Sequence, residues 1–198
     1  MAIKADRWIR EMAETRRMIE PFSRSQVAEG MISYGLSSYG YDLRLADDFK
    51  IFSPPSGVTL NPKAIPSEYY REHRGGFCDI PGNSYVLGRT VEYLRIPRDV
   101  LTLCVGKSTY ARTGVLVNVT PFEPEWEGFV TVSIANTTPV PVRILRMKAC
   151  ARSFSFSLMS LVRFPTGTGR VNTRRKRKSN SVRLLKSLSR HPPGGLDR

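Results

Sequence analysis

The sequence predicts an all-β domain of barrel or jelly-roll type preceded by one short helix, on three observations. Short β-rich runs alternate with Pro, Gly and Asn punctuation across residues 32–144, the pattern of many short strands joined by turns. A stripe of apolar residues at helical spacing lies near the N-terminus. At 198 residues the chain is long enough for one well-buried domain and too short for two ordinary ones.

In chain order, Asp6 is placed to cap a helix in which Trp8, Ile9, Met12 and Ala13 form the apolar stripe, with Arg7, Arg10, Glu11 and Arg16 outside it. That stripe is core. In SSYGYDLR, residues 37–44, Gly40 relieves a tight turn, and Asp42 and Arg44 share one face of a strand as an ion pair. A place at a subunit interface is the alternative for this motif. The strand runs are FKIF at 49–52, SYVLGRTVEYL at 84–94, VLTLCV at 100–105, GVLVNV at 114–119 and GFVTVSIAN at 128–136. SPPSGVTLNPKAIP at 53–66 follows neither period and reads as a surface loop.

Beyond Ile144 the character changes. Residues 145–198 have neither a steady period nor a helix cap, and TRRKRK at 173–178 packs five like charges together. Of the chain's net charge of +14, this segment holds +13, with 14 basic side chains against the single acid Asp197. Residues 1–144 are therefore nearly neutral, and the basic excess is no property of the main domain. The sequence divides into a domain over 1–144 and a disordered basic tail over 145–198.

The N-terminus lacks a continuous apolar stretch and no run of about 18 apolar residues occurs, so neither secretion nor a membrane helix is expected and the cytoplasm is the simplest location. Cys78, Cys104 and Cys150 lack CxxC spacing, and three cysteines read as reduced thiols.

The most informative stretch is residues 106–132, GKSTYARTGVLVNVTPFEPEWEGFVTV. Gly106 lets the backbone turn or approach a ligand, while Lys107, Ser108, Thr109 and Arg112 supply cationic and hydroxyl donors for phosphate oxygens. With SSYGYDLR, RTVEYLRIPRDVLT at 89–102 and NTTP at 136–139, this stretch resembles the dCTP deaminase family, a branch of the trimeric dUTPase-like fold. The resemblance covers residues 1–144 with several long motifs in order, and it implies a distorted jelly-roll of the β-clip barrel kind. It also implies conversion of dCTP to dUTP and ammonia on the route to thymidylate, by a homotrimer with its active site between subunits.

Carried over residue by residue, the resemblance places Lys107, Ser108, Thr109, Tyr110, Ala111 and Arg112 at the nucleotide, with Ser108 and Arg112 near its phosphates and the catalytic water. A subunit-interface ion pair is the alternative for Arg112. Thr131 and Val132 would present strand backbone to the cytosine edge. In the family a glutamate comes next and shuttles protons between water, ring nitrogen and departing amine without zinc, Mg²⁺ arriving with the triphosphate. This chain has Ser133 there. The zinc deaminase set, H-x-E with P-C-x-x-C, is absent, and His73 in REHRGG reads as an ordinary surface residue. Glu123, Glu125 and Glu127 sit in a loop matching the family and read as solvated charges instead of replacement bases. Two readings of Ser133 stand: a polar strand residue in a paralogue that only binds nucleotide, or an error in the sequence.

The tail has a second explanation. Family members continue after the residues matching Arg143 and Ile144 with a peptide like Tyr-Ala-Asn-Glu-Gly-Leu-Cys-Gln-Val, and later segments supply glutamine, tyrosine and lysine that close over the triphosphate. If Ile144 onward is encoded ATC TTG CGA ATG AAG GCT TGT GCC AGG TC, one A added inside the Leu145 codon yields that peptide. Back-translation is degenerate, yet Met147 before Lys148 can give only glutamate in the shifted frame. The segment 145–198 is inferred to be the product of a one-base frameshift.

Three functions compete: a dCTP deaminase by descent with this chain impaired, a nucleotide-binding pseudoenzyme or dUTP diphosphatase-like protein, and a basic nucleic-acid-binding protein. TRRKRK would give only salt-dependent, sequence-blind affinity, and the tail lacks interleaved aromatics for stacking.

Overall fold

The computed structural model describes residues 2–28 and 32–157. The chain opens with β1 (Ala2–Ile3), helix α1 (Asp6–Arg16), and the short strands β2 (Ile19–Glu20), β3 (Gln26–Val27) and β4 (Tyr34–Ser37). Then come β5 (Gly40–Phe52), β6 (Tyr70–Arg74), β7 (Phe77–Ile80), β8 (Ser84–Arg95) and β9 (Val100–Gly106). After a one-turn helix, α2 (Ser108–Ala111), the chain finishes with β10 (Val115–Asn118), β11 (Glu127–Asn136), β12 (Val142–Leu145) and β13 (Ala149–Ser157). This is the predominantly β architecture expected, and every strand run read from the sequence is a strand.

The long strand β5 builds the architecture because it belongs to two layers. Its first half, Tyr41–Arg44, pairs with β13 and β4, and its second half, Asp48–Phe52, pairs with β6 and β8. A register shift between Leu45 and Phe49 marks the bend, the way a strand turns a corner from one sheet to another. One layer therefore runs β1, β13, β5 with β9 on β13; the other runs β5, β8, β11, β10; β12 and β7 form a separate pair.

Between the layers lie Tyr41, Leu43, Leu45, Phe49, Val86, Val132 and Ile134, each at most 1% exposed. Ile9, Met12 and Ala13 of α1 close one end of this core, and Trp8 sits at its edge under the Lys4 ammonium. The helix begins one residue earlier than a cap at Asp6 requires. Ala5 occupies the cap position, and the Asp6 carboxylate accepts the Arg7 amide at 2.8 Å from within the first turn, where it complements the positive end of the helix dipole.

Two further expectations are corrected. Asp42 and Arg44 do not pair with each other: Arg44 donates to Glu92 through Nε at 2.6 Å, whereas Asp42 takes Lys107 and Arg152, each at 2.7 Å. Both residues are buried, and partners supplied by neighbouring strands satisfy them better than two side chains projecting in parallel from one strand can. The ordered fold also does not stop at Ile144. β12 reaches Leu145, Met147 turns the chain at φ 59°, and β13 pairs with β5 over Tyr41–Arg44 and, from Ala151 to Ser157, with β9. Ladder bonds are made by backbone and ask little of side-chain identity. The rest of the predicted tail, TRRKRK included, lies outside the described residues.

Candidate functional site

Strand β11 supplies the wall of a cleft of about 390 Å³. From Val130 onward its burial alternates: Val130, Val132 and Ile134 point into the core, and Thr131, Ser133 and Ala135 point outward. Thr131 and Ser133 consequently face the cleft, where Asn118 of β10 stands directly across from Ser133 in the ladder. Phe122 and Trp126 stack at 4.9 Å, and Phe129 packs edge-on against Tyr93 at 5.1 Å, so aromatic rings shape the opposite side. The cleft joins one polar edge of hydroxyls, amide and strand backbone to apolar walls, a combination suited to a flat heteroaromatic ring.

No titratable side chain lines this cleft among the described residues. Glu123 and Glu127 are exposed and Glu125 reaches Arg98 at 3.5 Å; none of the three faces the cavity. Val132 is fully buried, which leaves only its backbone to offer.

The second group of predicted site residues gathers elsewhere. Gly106 ends β9, and a Cβ there would meet the Val117 Cβ at 3.0 Å, so the glycine serves close approach of β9 to β10 and not a turn. Lys107 folds inward: its ammonium donates to Asp42 at 2.7 Å and to the Ser33 carbonyl at 2.7 Å. Ser108 and Ala111 are exposed on α2, Thr109 is half-buried, Arg112 caps the turn from the surface, and Tyr110 drops its ring into the core at 5% exposure. Arg112 makes no ion pair among the described residues. Ser108 borders a smaller cavity of about 270 Å³ with Lys107, Arg152 and Phe154. Within one chain, then, the Ser108 group and the Ser133 group open onto different cavities.

Asp42, fully buried, binds both cationic residues that line the smaller cavity, Lys107 and Arg152. Burial works to raise its pKa, but the Arg152 guanidinium and the Lys107 ammonium hold it below the usual carboxylate range. Arg152 grips both carboxylate oxygens, at 2.7 and 3.0 Å, the bidentate geometry favoured by guanidinium. Behind it, burial pushes the Glu92 carboxyl up against the pull of Arg44. Cys78, Cys104 and Cys150 are free thiols, and burial pushes Cys78 up to about 11 and Cys104 up to about 12, so they stay protonated at neutral pH. His73 is partly covered and bonds the Phe77 carbonyl at 2.7 Å. No group of three or more His, Cys, Asp or Glu capable of holding a metal occurs among the described residues, and no helix there is long and apolar enough to cross a membrane.

The sequence reading missed Asn118, Trp126 and Phe129 at the cleft and Arg152 at Asp42. Outward alternation in GVLVNV and EGFVTV is the signal that points to Asn118 and Phe129; Trp126 precedes the strand and reaches the cleft by stacking on Phe122. Arg152 carries no such signal, because its role depends on β13 being a strand.

A family model for dCTP deaminase-like proteins matches residues 3–152. The chain is 54% identical over 160 residues to the dCTP deaminase of Cupriavidus taiwanensis, covering 79% of this chain and 85% of the relative. It is 58% identical over 144 residues to that of Rhodospirillum centenum, covering 73% and 78%. In three dimensions it resembles the crystal structure of 2'-deoxycytidine 5'-triphosphate deaminase from Agrobacterium tumefaciens, with a TM-score of 0.58 and 17% identity, covering 77% of this chain and 47% of that one. The chain thus spans about half the length of that solved structure, and the likeness speaks for the fold.

Proposed function

The chain belongs to the dCTP deaminase family, and from that premise we propose that it is a deoxycytidine triphosphate deaminase by descent that retains a nucleotide cleft and has lost most of its chemical power. Hydrolytic deamination needs a water activated for attack at C4, a proton delivered to the ring nitrogen, and ammonia as leaving group. One titratable group moving those protons is worth about 10²–10⁴ in rate and must have a pKa near the working pH. The observation that carries the proposal is Ser133. It faces the cleft where the family's glutamate is expected, and the cleft's lining offers no other acid or base among the described residues. A serine hydroxyl can hold a water by hydrogen bonding; it does not take the water's proton at neutral pH.

In this reading the cytosine lies between the aromatic walls with its polar edge on Thr131, Val132 backbone and Asn118. Ser108, Thr109 and Arg112 attend the phosphates, and Mg²⁺ comes with the triphosphate as part of the substrate. Separation of the Ser108 and Ser133 groups into two cavities of one chain supports a site completed by a neighbouring copy, hence a homotrimer. A cytoplasmic enzyme without zinc fits this assignment.

The frameshift belongs to the same proposal, and two features of the fold support it. Counted from Ile144, the family-like peptide places Asn at position 147, where Met147 holds φ 59°, a conformation Asn adopts far more readily than Met. It also places Val at position 153, an interior position occupied here by Ser153 at 6% exposure. In this reading residues 145–198 as written stand in place of that peptide and of the later segment that closes over the triphosphate in the family.

Ammonia release from dCTP tests the proposal: the chain as it stands should turn over at least a hundredfold more slowly than the Cupriavidus taiwanensis relative, and a comparable rate would overturn it. Resequencing around codon 145 tests the lesion, which is ruled out if the shifted frame fails to encode Tyr-Ala-Asn-Glu-Gly.

A further inference from the structure

We propose that Thr90 is a positioning residue for the cleft, a buried hydroxyl that locks the register of β11 and so sets where Thr131 and Ser133 stand. This rests on the nucleotide reading of the cleft. Strands β8 and β11 pair in one register from Glu127 to Phe129 and in another from Thr131 to Asn136. Phe129 faces Tyr93 and Thr131 faces Arg89. The single residue Val130 therefore lies opposite the stretch Thr90–Glu92, and β8 carries a bulge immediately behind the cleft wall.

Hydrophobic patterning cannot hold such a bulge in place. A slip of two residues leaves every side chain on its own face, Val132 and Ile134 still inside, yet carries Thr131 and Ser133 about 7 Å along the strand. Something other than the core must choose between the two registers, and a polar pin inside the bulge does so.

Thr90 is that pin. Its side chain is fully buried; its Oγ1 accepts the Val130 amide at 2.9 Å and donates to the Glu92 carbonyl at 2.8 Å. The hydroxyl thereby replaces the ladder partner that the bulge denies to Val130 and closes the bulge upon itself. Its far end is fixed independently, because the buried Glu92 carboxylate accepts the Arg44 amide at 2.9 Å and Arg44 Nε at 2.6 Å. Val130 and Thr131 both border the cleft, so the segment Thr90 locks is the one that meets the base. The ligand class follows: a pyrimidine deoxynucleoside triphosphate, whose base needs the lock and whose phosphates do not.

The test compares the parent, Thr90→Val, which keeps the shape and loses the hydroxyl, and Thr90→Ser, which keeps the hydroxyl. Amide hydrogen exchange of Val130 and Thr131 should accelerate at least tenfold in Thr90→Val with Ile134–Asn136 unchanged, and Thr90→Ser should restore protection. By calorimetry, the dCTP dissociation constant should rise at least tenfold in Thr90→Val, while that of inorganic tripolyphosphate moves less than twofold. Unchanged exchange at Val130, or equal weakening for dCTP and tripolyphosphate, overturns the proposal. If Thr90→Val does not fold, Thr90→Ala, which leaves room for a water, carries the same two readouts. A parent with a protected Val130 amide that binds no dCTP overturns the nucleotide reading of the cleft and Thr90's part in it, while the register lock still stands or falls on the exchange data.

Discussion

Strands β11 and β13 have the same alternating burial and opposite chemistry. In β11 the inward positions are Val130, Val132 and Ile134 and the outward ones Thr131 and Ser133. In β13 the inward positions past Ala151 are Ser153 and Ser155, both 6% exposed, while Phe154 and Phe156 stand half-exposed on the outer side. Ser153 and Ser155 survive inside because each finds a partner, the Tyr41 carbonyl at 3.1 Å and the Thr102 hydroxyl at 3.3 Å. A natural strand with one buried face puts its aromatics in and its serines out. β13 does the reverse, so its backbone is held by its neighbours and its side chains are not what the fold asks for. β11 keeps Val130, Val132 and Ile134 on its inward face, with the buried Asn136 at its end satisfied by backbone carbonyls, and departs from the family at the outward Ser133, where chemistry and not folding is at stake.

The largest effect expected from repairing the two strands is catalytic. Ser133→Glu alone, and restoration of the frame after Ile144 alone, should each leave dCTP deamination near the parent rate, whereas the two together should raise it a hundredfold or more, because proton shuttle and closing segment act as a unit. Steady-state ammonia release measures this, and full recovery by Ser133→Glu alone would make the closing segment dispensable.

Next in size is the core contrast. Ile134→Ala in β11 should cost about 3 kcal/mol in urea unfolding, as buried Ile truncations do, whereas Phe156→Ser in β13 should cost less than about 1 kcal/mol because its ring is half-exposed. Equal losses would mean that the two strands contribute alike.

Asp42→Asn, which leaves Lys107 and Arg152 facing each other without a carboxylate, should destabilise by about 2–3 kcal/mol at pH 7, below the figure for a fully buried pair because Arg152 is about a third exposed. The sign of its pH dependence follows from the depressed pKa of Asp42: the contribution is full above the unfolded value near 3.8 and is lost as pH falls through the lower folded value. Parent and Asp42→Asn should therefore keep their full difference down to about pH 4, begin to converge below it and meet only below the depressed folded value, as read by unfolding curves across that range.

The smallest effects repair β13 one residue at a time. Ser153→Val should stabilise by about 1 kcal/mol and Met147→Asn by about 0.5–1 kcal/mol, through relief of the left-handed backbone. Thermal midpoints that fall in both would indicate that the present residues suit β13 after all.

Local pattern in the sequence determined the strand runs at 49–52, 84–94, 100–105, 114–119 and 128–136, the N-terminal helix stripe, the family and the position of Ser133, because each is written in consecutive residues whose period or motif can be read without a partner; the short strands β4, β6, β7 and β12 carry no such pattern and are set by their neighbours. The tertiary structure alone decided that β13 joins the fold and does so with the serines of its Ser153–Ser157 alternation inward and the phenylalanines outward, since ladder bonds to β5 and β9 need only a backbone. It alone separated the Ser108 and Ser133 groups, turned Lys107 inward to Asp42, and parted Asp42 from Arg44. Those outcomes depend on which strand lies beside which, and a buried charge is satisfied by the neighbour that folding brings near, however distant it is along the chain.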